Sequence, residues 1–156
     1  MRSAFLWTAA AALTLLGACG DDDDPEPGLG VAEPRSFVEV GSGMAVPDLE
    51  PLWLDDDAAR TSAVQALTDQ ADRNELEPEQ VDDAVDALEA PAPEGTRGAA
   101  FLLPGCAETG AQLSVAESAI DAELTGGEDI NCDAPVYFLV IFDIPNDAIP
   151  DNAHLE

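Results

Sequence analysis

Residues 136–142 constrain the fold more than any other part of the sequence. They read Val-Tyr-Phe-Leu-Val-Ile-Phe, a run rich in β-branched and aromatic side chains that no charge interrupts. A strand with one face in water alternates apolar with polar side chains, because successive side chains point to opposite faces of a sheet. A run without that alternation predicts a strand covered on both faces.

Two helices are predicted ahead of this strand. Asp55, Asp56 and Asp57 suit the start of the first, because the N-terminal end of a helix favours negative charge. This helix is predicted to continue to about Arg73. The second begins at Glu77-Pro78, with proline in its first turn. Its apolar residues recur at i, i+3, i+4 and i+7, which places them on one helix face: Val81, Ala84, Val85 and Leu88.

Two shorter β signals flank the helices. Residues 37–40 read Phe-Val-Glu-Val and predict a strand that the following Gly-Ser-Gly ends. Residues 99–103 predict an apolar strand that Pro104-Gly105 ends.

Residues 112–124 fit two structures. They alternate like a hairpin turning near Glu117-Ser118, yet four of their apolar residues also fit a helix face: Leu113, Ala116, Ile120 and Leu124. The hairpin is favoured, because strands joined by short connections form a meander readily. The predicted fold class is therefore α+β, a helical hairpin followed by a small antiparallel β-meander.

The N-terminal segment predicts export. Arg2 precedes thirteen residues without a charge, 4–16, which would span only about 20 Å as a helix against a bilayer core of about 30 Å. Such a run is typical of a signal peptide, and it ends in Leu16-Gly17-Ala18-Cys19.

This motif resembles the lipobox of bacterial lipoproteins, where an aliphatic and two small residues precede a cysteine. The resemblance implies that Cys19 is lipidated and becomes the first residue of the mature chain, with the membrane as partner through the lipid anchor. Gly20 follows, where an aspartate would resemble an inner-membrane retention signal, so outer-membrane localisation is expected. The alternative is a plain secretory peptide that leaves Cys19 as a thiol.

Three segments follow from this interpretation: a signal peptide at 1–18, a tether at 19–35 and one domain at 36–156. The tether holds four consecutive aspartates, Asp21 to Asp24, and then several prolines and glycines. Like charges repel, and proline opposes helix formation, so an extended solvated segment is expected. An acidic run after the lipidated cysteine also resembles the surface-export tags of some outer-membrane lipoproteins, so both the periplasm and the cell surface remain open.

The other two cysteines are predicted to form a disulfide. Cys106 and Cys132 are an even pair in a chain predicted to be exported, and such pairs are usually bonded. A redox role is the alternative, but the sequence contains no Cys-x-x-Cys motif.

A second resemblance rests on three short motifs. These are Phe-Val-Glu-Val-Gly-Ser-Gly at 37–43, Glu-Thr-Gly-Ala at 108–111 and Ala-Pro-Val-Tyr-Phe-Leu-Val at 134–140. Together they are similar to the accessory-subunit domain of certain bacterial surface protease complexes. The chain lacks the second glycine and the aromatic expected after Thr109-Gly110, and it adds a cysteine pair.

Charge excludes one class of function. The chain has 5 basic residues, all arginines, against 33 acidic ones, for a net charge of −28. Nucleic acid binding depends on clustered Lys and Arg that neutralise phosphates, so no nucleic acid partner is expected.

No catalytic, metal or cofactor site is predicted. The sole histidine, His154, lies two residues from the C-terminus, where chain ends are usually mobile, and a zinc site lacks ligands. The favoured function is a non-enzymatic binding or accessory module with a protein partner in the cell envelope. The alternative is a small hydrolase or sugar-active enzyme using paired carboxylates, for which Trp53 would have to be exposed beside a cleft.

Overall fold

The computed structural model describes residues 33–42, 49–74, 76–116, 118–127 and 132–156. Two helices and seven strands lie within these ranges, together with a short 3-10 turn at Asn146–Ala148. In chain order the elements are β1 (Ser36–Ser42), β2 (Leu52–Trp53), α1 (Asp57–Asn74), α2 (Pro78–Glu89), β3 (Thr96–Gly105), β4 (Gly110–Ala116), β5 (Ala119–Thr125), β6 (Val136–Pro145) and β7 (His154–Leu155).

These elements form three layers. The middle layer is an antiparallel sheet with the strand order β1-β6-β3-β2. The two helices cover one face of this sheet, and a second sheet with the order β4-β5-β7 covers the other. The predicted α+β class, with a pair of helices ahead of the main run of strands, is confirmed.

Strand β6 lies inside this sandwich, as its sequence predicts. Every residue from Tyr137 to Phe142 is buried. Leu139 and Ile141 pack in the cluster that includes the helices, while Val140 and Phe142 pack in the cluster that includes the second sheet. The absence of polar alternation in residues 136–142 therefore reflects two hydrophobic cores that share one strand.

Residues 112–124 form the favoured hairpin. β4 pairs with β5 from Gly110 opposite Thr125 to Ala116 opposite Ala119. Buried Leu113 and Ile120 lie on the face that packs against the middle sheet. The helix alternative for this segment is wrong.

The order of the strands differs from a simple meander. β3 and β6 pair directly over their whole length, from Thr96 opposite Pro145 to Gly105 opposite Val136, and the β4–β5 hairpin between them joins the second sheet. A hairpin within the middle sheet would lie beside β6 and could not cover either of its faces. Because both faces of β6 are buried, the hairpin lies in a separate layer, where its apolar side covers one of them.

Strand β3 also continues through Pro104 and Gly105, where the sequence predicts its end. Proline lacks an N–H group and therefore interrupts a ladder that needs hydrogen bonds on both sides. β2 pairs only with Ala99 and Ala100, so it does not reach the position of Pro104. At Pro104, β3 therefore pairs only with β6, and the strand can continue past the proline.

Candidate functional site

Cys106 and Cys132 are bonded to each other, which confirms the predicted disulfide. Their Cα atoms are 5.8 Å apart and they are separated by 26 positions in the sequence. Cys106 follows the end of β3 and Cys132 precedes β6, at the end of the ladder where Gly105 lies opposite Val136. Cys19, the predicted lipidation site, lies outside the described residues.

The loop that leaves Cys106 is closely packed. The Glu108 carboxylate accepts a hydrogen bond from the backbone N–H of Cys106 at 2.5 Å. That bond, followed by one from the N–H of Glu108 itself, lowers the pKa of Glu108. Gly127 has a positive φ of 82°, and a side chain there would collide with the carbonyl oxygen of Ala107. The disulfide thus lies beside a compact turn that needs glycine.

Arg35 holds the start of β1 to two other elements. Its Nη1 donates hydrogen bonds to the carbonyl oxygens of Ala90, at 2.8 Å, and Pro91, at 3.1 Å, just beyond the C-terminus of α2. Its Nε lies 3.4 Å from Oδ2 of Asp143 on β6. A guanidinium at this end of a helix also complements the negative end of the helix dipole.

This ion pair is largely withdrawn from solvent. The side chains of Arg35 and Asp143 are 19% and 16% exposed. Desolvation raises the pKa of Asp143, and the charge of Arg35 opposes that shift. Nη2 of Arg35 and Oδ1 of Asp143 are buried without a hydrogen-bond partner in the described part of the chain.

Helix α2 lies along β1 and runs in the opposite direction. Near its N-terminal end, a Cβ added to Gly41 would lie 3.3 Å from Oε1 of Gln80. Beyond its C-terminal end, Arg35 contacts Ala90. Asp83 follows Gln80 by three residues, one turn further along the same side of α2, and it is exposed.

β1 itself is a terminal strand of the middle sheet. Its inner edge pairs with β6, and among the described residues no strand pairs with its outer edge. The Phe37 ring stacks on Phe138 with centroids 4.9 Å apart. Glu39 is exposed, and the ladder is irregular between Glu39 and Gly41. We refer to the free side of residues 36–42 as the β1 edge.

A second polar region surrounds Trp53 on β2. The guanidinium of Arg97 lies 3.7 Å from the centre of the Trp53 ring, and its Nε and Nη2 reach the Asp55 carboxylate at 2.5 and 2.6 Å. The Trp53 ring is only partly exposed and packs against the core between the sheets. These contacts hold β2 against β3.

His154 differs from its predicted environment. It begins β7, which pairs in parallel with β5, and its backbone N–H donates to the carbonyl oxygen of Ser118 at 2.9 Å. The chain end, expected to be mobile, is thus paired through its backbone with β5 and with Ser118. The ring is exposed, with Nε2 3.2 Å from Oε1 of Glu156.

Two further observations are confined to the described ranges. None of their helices is both long and apolar enough to cross a bilayer. They also contain no group of three or more His, Cys, Asp or Glu side chains placed to hold a metal ion.

Sequence reasoning missed Arg35 as an organising residue. The predicted tether ends at Arg35, whereas its side chain contacts β6 and the residues just beyond α2. One signal was available: Arg35 is the only basic residue between Arg2 and Arg60, and a lone cation within an acidic chain is a natural partner for a buried carboxylate.

Comparisons with known proteins give no match, whether with family models, curated proteins or solved structures. The function is accordingly inferred from the residues of this chain.

Proposed function

We propose that this protein is a lipid-anchored outer-membrane lipoprotein that acts as a non-enzymatic binding or accessory module of the cell envelope. The observation that carries the proposal is the distribution of its three cysteines. Cys106 and Cys132 are bonded to each other in the disulfide. The remaining cysteine is Cys19, which stands at the end of the lipobox-like motif.

The disulfide also supports an extracytoplasmic location. Disulfides persist in oxidising compartments such as the bacterial periplasm and the cell surface, and they are rare in the cytosol. The export-like residues 1–18 would deliver the chain to such a compartment. Two independent parts of the sequence thus favour the same location.

The experiment compares the wild-type protein with Cys19→Ala in membrane fractions washed with salt. We expect the wild type to remain with the membranes, because two or three acyl chains anchor stably where one does not. We expect Cys19→Ala to lose the acyl chains and to appear in the wash. Thr8→Ala, which alters the hydrophobic segment but keeps the cysteine, should remain membrane-bound.

Intact mass separates anchoring from other causes of sedimentation. The N-terminal peptide of the mature wild type should begin at Cys19 and carry the added mass of a diacylglyceryl group and a further acyl group. If Cys19→Ala stays with the membranes after the wash, or if the wild-type peptide carries no lipid, the anchoring proposal is wrong.

A further inference from the structure

We propose that the β1 edge binds an extended, basic segment of a partner protein, which pairs with β1 as an additional strand of the middle sheet. This inference rests on the proposed binding function and specifies the surface and the chemistry of the partner. Adding a strand to a free sheet edge is a common mode of peptide recognition, in which main-chain hydrogen bonds give affinity and flanking side chains give specificity.

The length of β1 makes it a suitable template. It has seven residues, whereas β2, at the opposite side of the same sheet, has two and follows Pro51. Short strands and prolines are common means of protecting sheet edges from pairing with other chains. Among the described residues, β1 is longer and contains no proline, and its one irregularity, between Glu39 and Gly41, lies in its ladder with β6.

The charges beside this edge favour a basic partner. Exposed Glu39 stands on β1, and exposed Asp83 lies one turn after Gln80 on α2, which packs along β1. The nearest cation, Arg35, is directed inward to Asp143 and to the carbonyl oxygens of Ala90 and Pro91 beyond α2. A strand that docks here therefore meets the exposed carboxylate of Glu39, and a lysine or arginine side chain would pair with it.

Charge also argues against a second copy of the chain as the occupant. Two copies paired through β1 would bring identical acidic margins together, and the whole chain carries a net charge of −28. Like charges opposite each other destabilise strand pairing. A basic partner would be attracted to this edge, whereas a second copy of the chain would be repelled from it.

The test uses the full chain purified in a non-ionic detergent and a synthetic peptide of alternating lysine and valine as the probe. A peptide with glutamate in place of lysine is the matched control. Fluorescence anisotropy at about 0.02 M and about 0.15 M salt should show binding of the lysine peptide that weakens with salt, and no binding of the glutamate peptide.

Two substitutions locate the binding. Glu39→Lys places a lysine on the β1 edge and should weaken binding about tenfold. Asp69→Lys makes the same change of charge at an exposed position of α1, and should weaken binding less than about twofold because it does not border β1. Hydrogen exchange should show that the peptide protects backbone amides of residues 36–42 and leaves those of α1 unchanged.

Three results would overturn the inference. Equal loss of affinity in Glu39→Lys and Asp69→Lys would indicate attraction to the overall charge and not to the edge. Absence of binding by the lysine peptide, in a protein whose Cys19 is lipidated, would reject the basic-strand partner while leaving the proposed anchor intact. Self-association of the free protein that Glu39→Lys alters would identify a second copy as the occupant.

Discussion

The Nε atom of Arg35 lies 3.4 Å from Oδ2 of Asp143. This ion pair joins the residue immediately before β1 to strand β6 of the middle sheet. The same guanidinium donates two hydrogen bonds to carbonyl oxygens beyond α2. One side chain therefore fixes the start of the domain to both the sheet and the helical layer.

Replacement of this arginine should destabilise the domain. Arg35→Met leaves Asp143 largely buried without its cation and deprives two carbonyl oxygens of their donor, so we expect a loss of about 2–3 kcal/mol in the free energy of unfolding. Urea denaturation measures it. Arg73→Met is the matched control and should cost less than about 1 kcal/mol, because Arg73 is exposed. Equal losses in the two variants would contradict the role of Arg35.

Asp143 should make the fold more stable as pH falls. Its pKa is raised in the folded state, so the folded protein binds a proton at pH values where the unfolded chain has released it. The corresponding stability is present below the unfolded pKa of about 3.9 and is lost as pH rises through the folded pKa. Relative to Asp143→Asn, the wild type should therefore gain stability between pH 7 and about pH 4. If the difference in stability between wild type and Asp143→Asn does not change with pH, the pKa of Asp143 is not raised in the folded protein.

Glu108 should have the opposite effect. Its pKa is lowered by backbone hydrogen bonds, first that from Cys106, so its contribution is present above the unfolded pKa of about 4.3 and is lost as pH falls through the folded pKa. Wild type should exceed Glu108→Gln in stability at pH 7, and this advantage should decrease in acid. Thermal unfolding of both proteins over the same pH series provides the comparison. An advantage that persists unchanged at pH 2 would show that packing, and not the charge, distinguishes them.

Loss of the disulfide should lower stability substantially. Closing the loop between residues 106 and 132 stabilises the fold by about 3.5 kcal/mol in the chain-entropy estimate. The variant Cys106→Ala/Cys132→Ala should lose stability of this order, measured by urea denaturation. Alkylation of the unreduced wild type should label neither residue. Labelling of both would mean that the two thiols are free in the native protein.

Salt should stabilise the protein. With a net charge of −28, unpaired carboxylates repel one another more strongly in the compact fold than in the expanded unfolded chain. Raising NaCl from about 0.01 M to about 1 M shortens the Debye length from about 30 Å to about 3 Å and weakens that repulsion. The melting temperature at pH 7 should therefore increase with salt. A constant value would show that the acidic surface is too dispersed to affect folding.

Local patterns predicted the elements better than their arrangement. The uninterrupted run at 136–142 and the periodic face of α2 each contain enough information to define one element and its buried surface. The partners of β6 do not follow from such patterns, because pairing with β1 and β3 joins segments far apart in the chain. Leu113 and Ile120 fitted both a helix and a hairpin, and contact with the middle sheet distinguished the two.

The candidate site was less accessible to sequence reasoning. The two cysteines could be paired by counting, because lipidation of Cys19 would leave them as the only remaining pair in the sequence. The position of Gln80 beside Gly41 of β1 depends on the direction in which α2 crosses the sheet, which only the tertiary structure defines. The same holds for Arg35, whose partners lie on two separate elements.

The disulfide has a consequence for a protein exposed to proteases. Because it joins the end of β3 to the start of β6, the entire β4–β5 hairpin lies within a covalent ring. A single peptide bond cut in that hairpin would open the ring without dividing the molecule, and β3 and β6 would remain paired along their ladder. The β4–β5 hairpin can thus be nicked while both chain segments stay attached.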